Sequence, residues 1–263
     1  MSKSERTHKP QPTQGQSPPP TDQPDFDVLV RAMDGHRFLD DLEDKQVALL
    51  FLEPPDQLDT ASSPNDSIRR SAETLRTLAP TVDRVLEDNG FAFWFPPSCP
   101  FATTESLENA VSRSFGFHRM TWVKSCSAHA PARHRIRMCY EIFYSIWPIE
   151  RAQPIPIRSL PDVLRMVPDN GSEIRPNRAI KPVALYARLI NACTHPSGLV
   201  VDPFAWTATS IEAALQLGRR VIGAETDPAA RATAKDRLAR RRMDFSDDPI
   251  TAAFVNERGI ATL

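Results

Sequence analysis

"GLVVDPFAWTATSIEAALQLGRRVIGAETDP", residues 198–228, reads as strand, loop, helix, strand. The short apolar run Leu199–Val201 ends in Asp202-Pro203-Phe204. "SIEAALQLG" then carries helical patterning, and "RVIGAE" is a second β-rich run that ends in a carboxylate. In such a βαβ unit, the loop that leaves the first strand is where a nucleotide-type ligand sits. Glycines usually line that loop, because the backbone must approach the ligand without a Cβ in the way. Here Trp206 and Ala208 stand at those places.

The rest of the chain repeats the alternation. "DVLVRAM" predicts a strand and "HRFLDDLED" a short helix. "QVALLFL" (46–52) is continuously apolar, as a strand covered on both faces is. Residues 66–90 predict a helix capped by Asp66, stopped by Gly90 and kinked or divided at Pro80. "FAFWF" (91–95) follows as a strand, and 104–116 as a helix. "HRMTWVKS" and "YEIFYSIW" predict paired strands. Residues 148–178 are Pro-rich and aperiodic, an irregular insertion; 181–194 predicts an amphipathic helix, and "PAARATAKDRLARRRM" a last one. Strands alternating with helices predict an α/β fold, an open, mainly parallel sheet with helices on both faces. Residues 1–25, polar and rich in Pro and Gln, predict a disordered tail before one domain over 26–263.

Bulk composition narrows the class. Hydrophobic residues make 41% and charged residues 25%, and the net charge of -1 excludes a global basic field. Cys99, Cys126, Cys139 and Cys193 form no CxxC pair, which points to reduced thiols, a cytoplasmic protein and no metal site. No signal peptide and no membrane span is expected.

Two stretches together carry a resemblance. "KPVALYARLINACTHPSGLVVDPFAWTATSIEAALQLGRRVIGAETDP" (181–228) resembles the C-terminal half of the DNA N6-adenine and N4-cytosine methyltransferases of the permuted β class. There a KP-initiated helix precedes a strand ending in DPFxGxGT. "MDGHRFLDDLEDKQVALLFLEPPD" (33–56) resembles the N-terminal part, where a strand ends in the tetrad D/N-P-P-aromatic. "GFHRMTWVKS" with "YEIFYSIW" resembles the segment between them. The likeness runs over roughly 27–240 and implies a Rossmann-like S-adenosylmethionine-dependent fold.

The resemblance implies roles. Asp202 lies near the cofactor's amino-acid portion, Lys181 begins the helix flanking the methionine end, and Thr209 closes the loop. Glu225 accepts from the ribose hydroxyls, Asp34 lies near the adenine, and Phe204 packs on it; Trp206 either occupies cofactor space or points away into packing. The tetrad is Glu53-Pro54-Pro55-Asp56. In the family its first residue and a proline carbonyl accept from the exocyclic amine of a flipped base, and an aromatic fourth residue stacks on that base. Glu53 has one more methylene, about 1.5 Å of extra reach. Asp56 removes stacking of about 1–3 kcal/mol. Read without the family, "LEPPD" is a strand ending in a proline turn, Asp202 a strand-end cap and Glu225 a surface carboxylate. With both loops altered, the expectation is impaired or lost methyl transfer. The alternative is a silent methyltransferase fold that binds nucleic acid or supports a partner subunit.

DNA is the implied partner, alone or with a second methyltransferase subunit as a homo- or hetero-oligomer. Lys124, Arg133, Arg135 and Arg137 form a basic stretch suited to phosphates, although a solvated charged loop reads the same way. Residues 148–178 fall where this class carries its target-recognition segment.

Overall fold

The computed structural model describes residues 26–55, 64–97, 104–124, 140–167 and 180–241. Asp56, Arg133, Arg135, Arg137, the tail 1–25 and residues 168–178 of the expected insertion lie outside them.

The strands are β1 (Val30–Arg31), β2 (Val47–Leu52), β3 (Leu86–Trp94), β4 (Phe115–Val123), β5 (Tyr140–Pro148), β6 (Val163–Arg165), β7 (Leu199–Asp202) and β8 (Arg220–Ala224). The helices are α1 (Phe26–Leu29), α2 (Gly35–Asp40), α3 (Pro64–Val85), α4 (Thr104–Val111), α5 (Val183–Cys193), α6 (Thr209–Gln216) and α7 (Pro228–Arg241). The strands join into a single sheet of order β1-β8-β7-β2-β3-β5-β4-β6. Pairs from β1 through β3 are parallel, β5 runs antiparallel to β3 and to β4, and β6 runs parallel to β4. This is the open, mainly parallel α/β sheet that the alternating pattern predicts.

The apolar run of β2 follows from its place. It lies between β7 and β3, and all six of its residues are buried. Leu49 and Phe51 face a core shared with α5 and α6. Leu50 and Leu52 face the other core, built with α2, α3 and α4. A strand sealed on both faces has no polar side to alternate with.

Several expected boundaries move. Residues 26–29 are helical, so the first strand shrinks to two residues. Helix α3 begins at Pro64, which places Asp66 in the first turn rather than at the cap, and it ends at Val85 with Pro80 inside it. Gly90 stops no helix: it lies in β3, where the pairing with β2 shifts between Val47 and Leu49. Glu87, Asp88 and Asn89 are extra, exposed length there, and a Cβ on Gly90 would lie 2.8 Å from the Val47 carbonyl oxygen. The turn signal is real, but it serves an interruption inside a strand. Helix α4 ends at Val111, and β4 has begun by Phe115. Within the stretch expected to be irregular, residues 163–165 form β6 on the sheet edge. Helix α5 is buried almost all round rather than amphipathic. Among the described residues no helix is long and apolar enough to cross a membrane.

The connections set the functional end of the sheet. From β7 the chain passes through α6 to β8 on one side, and from β2 through α3 to β3 on the other. The strand order therefore reverses between β7 and β2, and ligands bind beyond the carboxyl ends of strands at such a reversal. Those ends carry Asp202 and Glu53.

Candidate functional site

Asp202 closes β7 and is 4% exposed. Its Oδ1 accepts the Phe204 N–H at 3.0 Å, and its Oδ2 accepts the Ser210 hydroxyl from the first turn of α6. Burial pushes its carboxyl up to about 7, and the nearby carboxylates of Glu53 and Glu225 push the same way. The hydrogen bonds from Ser210 and Phe204 oppose that shift.

The loop after β7 is tied to β8. The Ala205 N–H donates to the Ala224 carbonyl at 2.9 Å, and the Trp206 N–H donates to Glu225 Oε2 at 2.9 Å. The other oxygen of Glu225 accepts the Asp227 N–H at 2.8 Å. Trp206 has φ 43° and Ala208 φ 59°. Both lie in the left-handed region, which costs an ordinary L-residue about 1–2 kcal/mol. The backbone thus follows a path suited to glycine although neither residue is one. Thr209 begins α6 and is buried, its hydroxyl 3.4 Å from that of Thr207.

A second loop meets the first. Asp34 caps α2, its Oδ1 accepting from the N–H groups of His36 at 3.0 Å and Arg37 at 3.2 Å. A Cβ on the next residue, Gly35, would lie 2.5 Å from the Pro203 carbonyl oxygen and 2.6 Å from the Phe204 ring. The His36 and Phe204 rings meet edge to face at 6.4 Å. Asp34 and Phe204 therefore border one corner of the site.

Glu53 extends past the end of β2 into a set of charges drawn from distant elements. Lys181, just before α5, places Nζ 2.5 Å from Glu53 Oε1. The Tyr186 hydroxyl, one turn into α5, donates to Glu53 Oε2 at 3.1 Å. The pair is largely enclosed, Lys181 at 11% and Glu53 at 19% side-chain exposure. Burial pushes the Tyr186 phenol well above its usual range, and the carboxylates of Glu53, Asp202 and Glu141 add to the shift, so Tyr186 stays a donor. Behind Lys181 lies Glu141 of β5, whose Oε2 is 3.9 Å from Lys181 Nζ and whose Oε1 is held by Lys124. The Lys181 ammonium lies 5.1 Å over the Phe95 ring and that of Lys124 lies 5.0 Å over the Trp122 ring.

The residues singled out from sequence thus divide. Glu53, Lys181, Asp202 and Glu225 gather around the reversal in strand order, with Pro54 buried and Pro55 exposed beyond β2. Lys124 joins through Glu141 and is engaged inside the protein rather than offered to phosphates. Tyr186, Glu141 and Ser210 are additions from the structure. Two of them left a signal: a buried tyrosine needs a partner for its hydroxyl, and a carboxylate inside the apolar run "YEIFYSIW" needs a cation.

Residues 145–236 match the N6_N4_Mtase family model, described as DNA methylase. Over 85 residues, 32% of this chain, the sequence is 40% identical to "Putative methylase YubD" of Escherichia coli (strain K12), and the match spans 36% of that protein's length. The fold is similar to the crystal structure of the M1.HpyAVI–SAM complex, at 21% identity and TM-score 0.57 over 80% of this chain and 98% of that one. It is also similar to the PvuII DNA methyltransferase, specific for cytosine N4, at 17% identity and TM-score 0.61 over 85% and 91% of the two chains. Residues 145–236 of this chain are thus similar to the family model described as DNA methylase, and the chain's fold is similar to that of solved DNA methyltransferases.

Proposed function

We propose that this protein is an S-adenosylmethionine-dependent DNA methyltransferase acting on an amino nitrogen of adenine or cytosine, with transfer impaired because its amine acceptor, Glu53, is masked at rest. The observation that carries this reading is the place and state of Glu53. It stands at the carboxyl end of β2, beside Asp202, with one oxygen on Lys181 and the other on Tyr186.

The residues present fit the cofactor. Asp202, Glu225 and Glu53 border the site with carboxylates, which suits a ligand carrying a sulfonium and an ammonium. The left-handed backbone at Trp206 and Ala208 keeps the loop on a glycine-like path. Asp202 would hold the amino-acid end, with Lys181 at the start of the helix that flanks it, Thr209 at the loop's close, Glu225 on the ribose, and Asp34 and Phe204 on the adenine. Bound there, the cofactor supplies an electrophilic methyl group. The chain's own part is to orient the amine: Glu53 accepts one N–H and the Pro54 carbonyl the other, which aims the nitrogen lone pair. Tyr186 fixes the rotamer of Glu53, and Lys181 competes with the amine for it. Removing one member of a buried ion pair costs about 3–5 kcal/mol, which is ample to slow transfer. Asp56 offers no stacking ring for the base, and Arg133, Arg135 and Arg137 hold the phosphates.

Calorimetric titration with S-adenosylmethionine, followed by transfer of labelled methyl to DNA, tests the reading. Binding with slow transfer that disappears in Glu53→Ala is expected. Absence of cofactor binding refutes it. Binding with no transfer under any condition favours a silent, DNA-binding subunit, for which the engagement of both Glu53 oxygens also speaks.

A further inference from the structure

The ammonium that covers Glu53 has a second carboxylate within reach. Lys181 Nζ lies 2.5 Å from Glu53 Oε1 and 3.9 Å from Glu141 Oε2. Lys124 occupies only Oε1 of Glu141, so Oε2 faces Lys181. The Phe95 ring lies beneath the same ammonium, 5.1 Å away, and the ring is fixed by stacking on Phe143 at 4.9 Å and by contact with Tyr186 at 5.8 Å. An aromatic face attracts a cation without fixing its direction, so it supports the ammonium wherever it stands between the two carboxylates. Lysine is suited to such a movement, being a point charge on a flexible stem with three rotatable donors. Tyr186, by contrast, is buried in the core, and its hydroxyl donates to the other oxygen of Glu53.

We propose that Lys181 has two stations, Glu53 and Glu141, and that its move from the first to the second uncovers Glu53 for the incoming amine. Glu141 is then a positioning residue. It does not touch the base, but it receives the cation that the base displaces. The lysine stays paired at both stations, so the ammonium is not stranded when it moves; the cost that remains falls on the Glu53 carboxylate, which keeps the Tyr186 hydroxyl and gains the amine. This rests on the reading of Glu53 as the amine acceptor. It turns the masked site from a defect into a gate, and it assigns a task to the row Lys124–Glu141–Lys181–Glu53, whose charges alternate in sign from β4 to the end of β2. Lys124 keeps its side of the row occupied, so that Glu141 has one oxygen for the traveller.

The test follows the ammonium itself in the full chain labelled with ¹⁵N-lysine. A lysine ammonium gives a resolved nitrogen–proton signal only when pairing slows its exchange with water. Lys181→Arg and Lys124→Arg assign the signals. In Glu53→Ala the Lys181 signal should persist at a new position, because the ammonium has moved to Glu141. In Glu53→Ala with Glu141→Ala it should vanish. Loss of the signal already in Glu53→Ala means there is no second station and overturns the proposal. Glu53→Met asks the same question at similar volume, with no oxygen to hold the ammonium, if the alanine variant fails to fold. Where methyl transfer is measurable, Glu141→Gln should lower kcat about tenfold with cofactor affinity unchanged, and Glu141→Asp should recover part of the loss. An unchanged kcat in Glu141→Gln would overturn the gating role. A native chain without transfer tells against Glu53 as acceptor, whereas the ammonium signals report on the two stations by themselves.

Discussion

Replacing Asp202 by asparagine should change how stability depends on pH. The carboxyl ordinarily titrates at 3.8 and is raised to about 7 in the folded chain, first by burial and then by Glu53 and Glu225. Between those values the folded state holds the proton and the unfolded chain has released it. The native state binds more protons there, so stability falls as pH rises, and the full penalty is present above about pH 7. A shift of that size, at 1.36 kcal/mol per pH unit, corresponds to about 4 kcal/mol, of which about 3 kcal/mol is lost between pH 5 and pH 8. Asparagine cannot ionise, and its carbonyl still accepts the Phe204 N–H. The amide must face the Ser210 hydroxyl, which can rotate to accept. Urea unfolding of both chains at pH 5, 6.5 and 8 reads the result. The native chain should weaken relative to Asp202→Asn by about 3 kcal/mol across that range, while the variant's own slope reports the remaining groups. Parallel slopes for the two chains would show that Asp202 is ionised throughout, and the burial argument would fail.

Trp206→Gly should tighten S-adenosylmethionine binding. It removes an indole from the loop after β7 and leaves the N–H that donates to Glu225, while glycine accepts φ 43° without strain. Unchanged affinity by calorimetry would place the indole outside the cofactor's space. Replacing Arg133, Arg135 and Arg137 by alanine should weaken binding to unrelated DNA sequences about equally and flatten the salt dependence by roughly three counterions; a fluorescence titration at several salt concentrations with an unchanged slope would move the contact elsewhere.

The parts of the fold that were legible in the sequence are those where burial is uniform. β2 could be read because all six residues are sealed, and β7–α6–β8 because each boundary coincides with a change in periodicity. Gly90 misled because a glycine needed for close approach inside β3 leaves the same mark as a helix stop. The place of the loop after β7 was legible, as the break between a strand and a helix. Its conformation was not, since tertiary ties to Ala224 and Glu225 hold Trp206 and Ala208 at angles that local preference disfavours. The charge row was hidden for a further reason. Glu53 and Lys181 are 128 residues apart in sequence, and neither stretch by itself announces a buried partner.

The order of strands also bears on how the chain is made. β2 lies beside β7, and β1 beside β8, so the early strands wait for the late ones. When a ribosome has delivered residues through β6, one edge of β2, Val47-Ala48-Leu49-Leu50-Phe51-Leu52, has no neighbour. An apolar strand with an open edge invites pairing with other chains. The nascent protein therefore passes through a stage in which its most hydrophobic strand is half-paired, until Leu199–Asp202 emerge and close it. The demand on chaperones falls in that interval, and slowed translation between residues 150 and 200 would lengthen it.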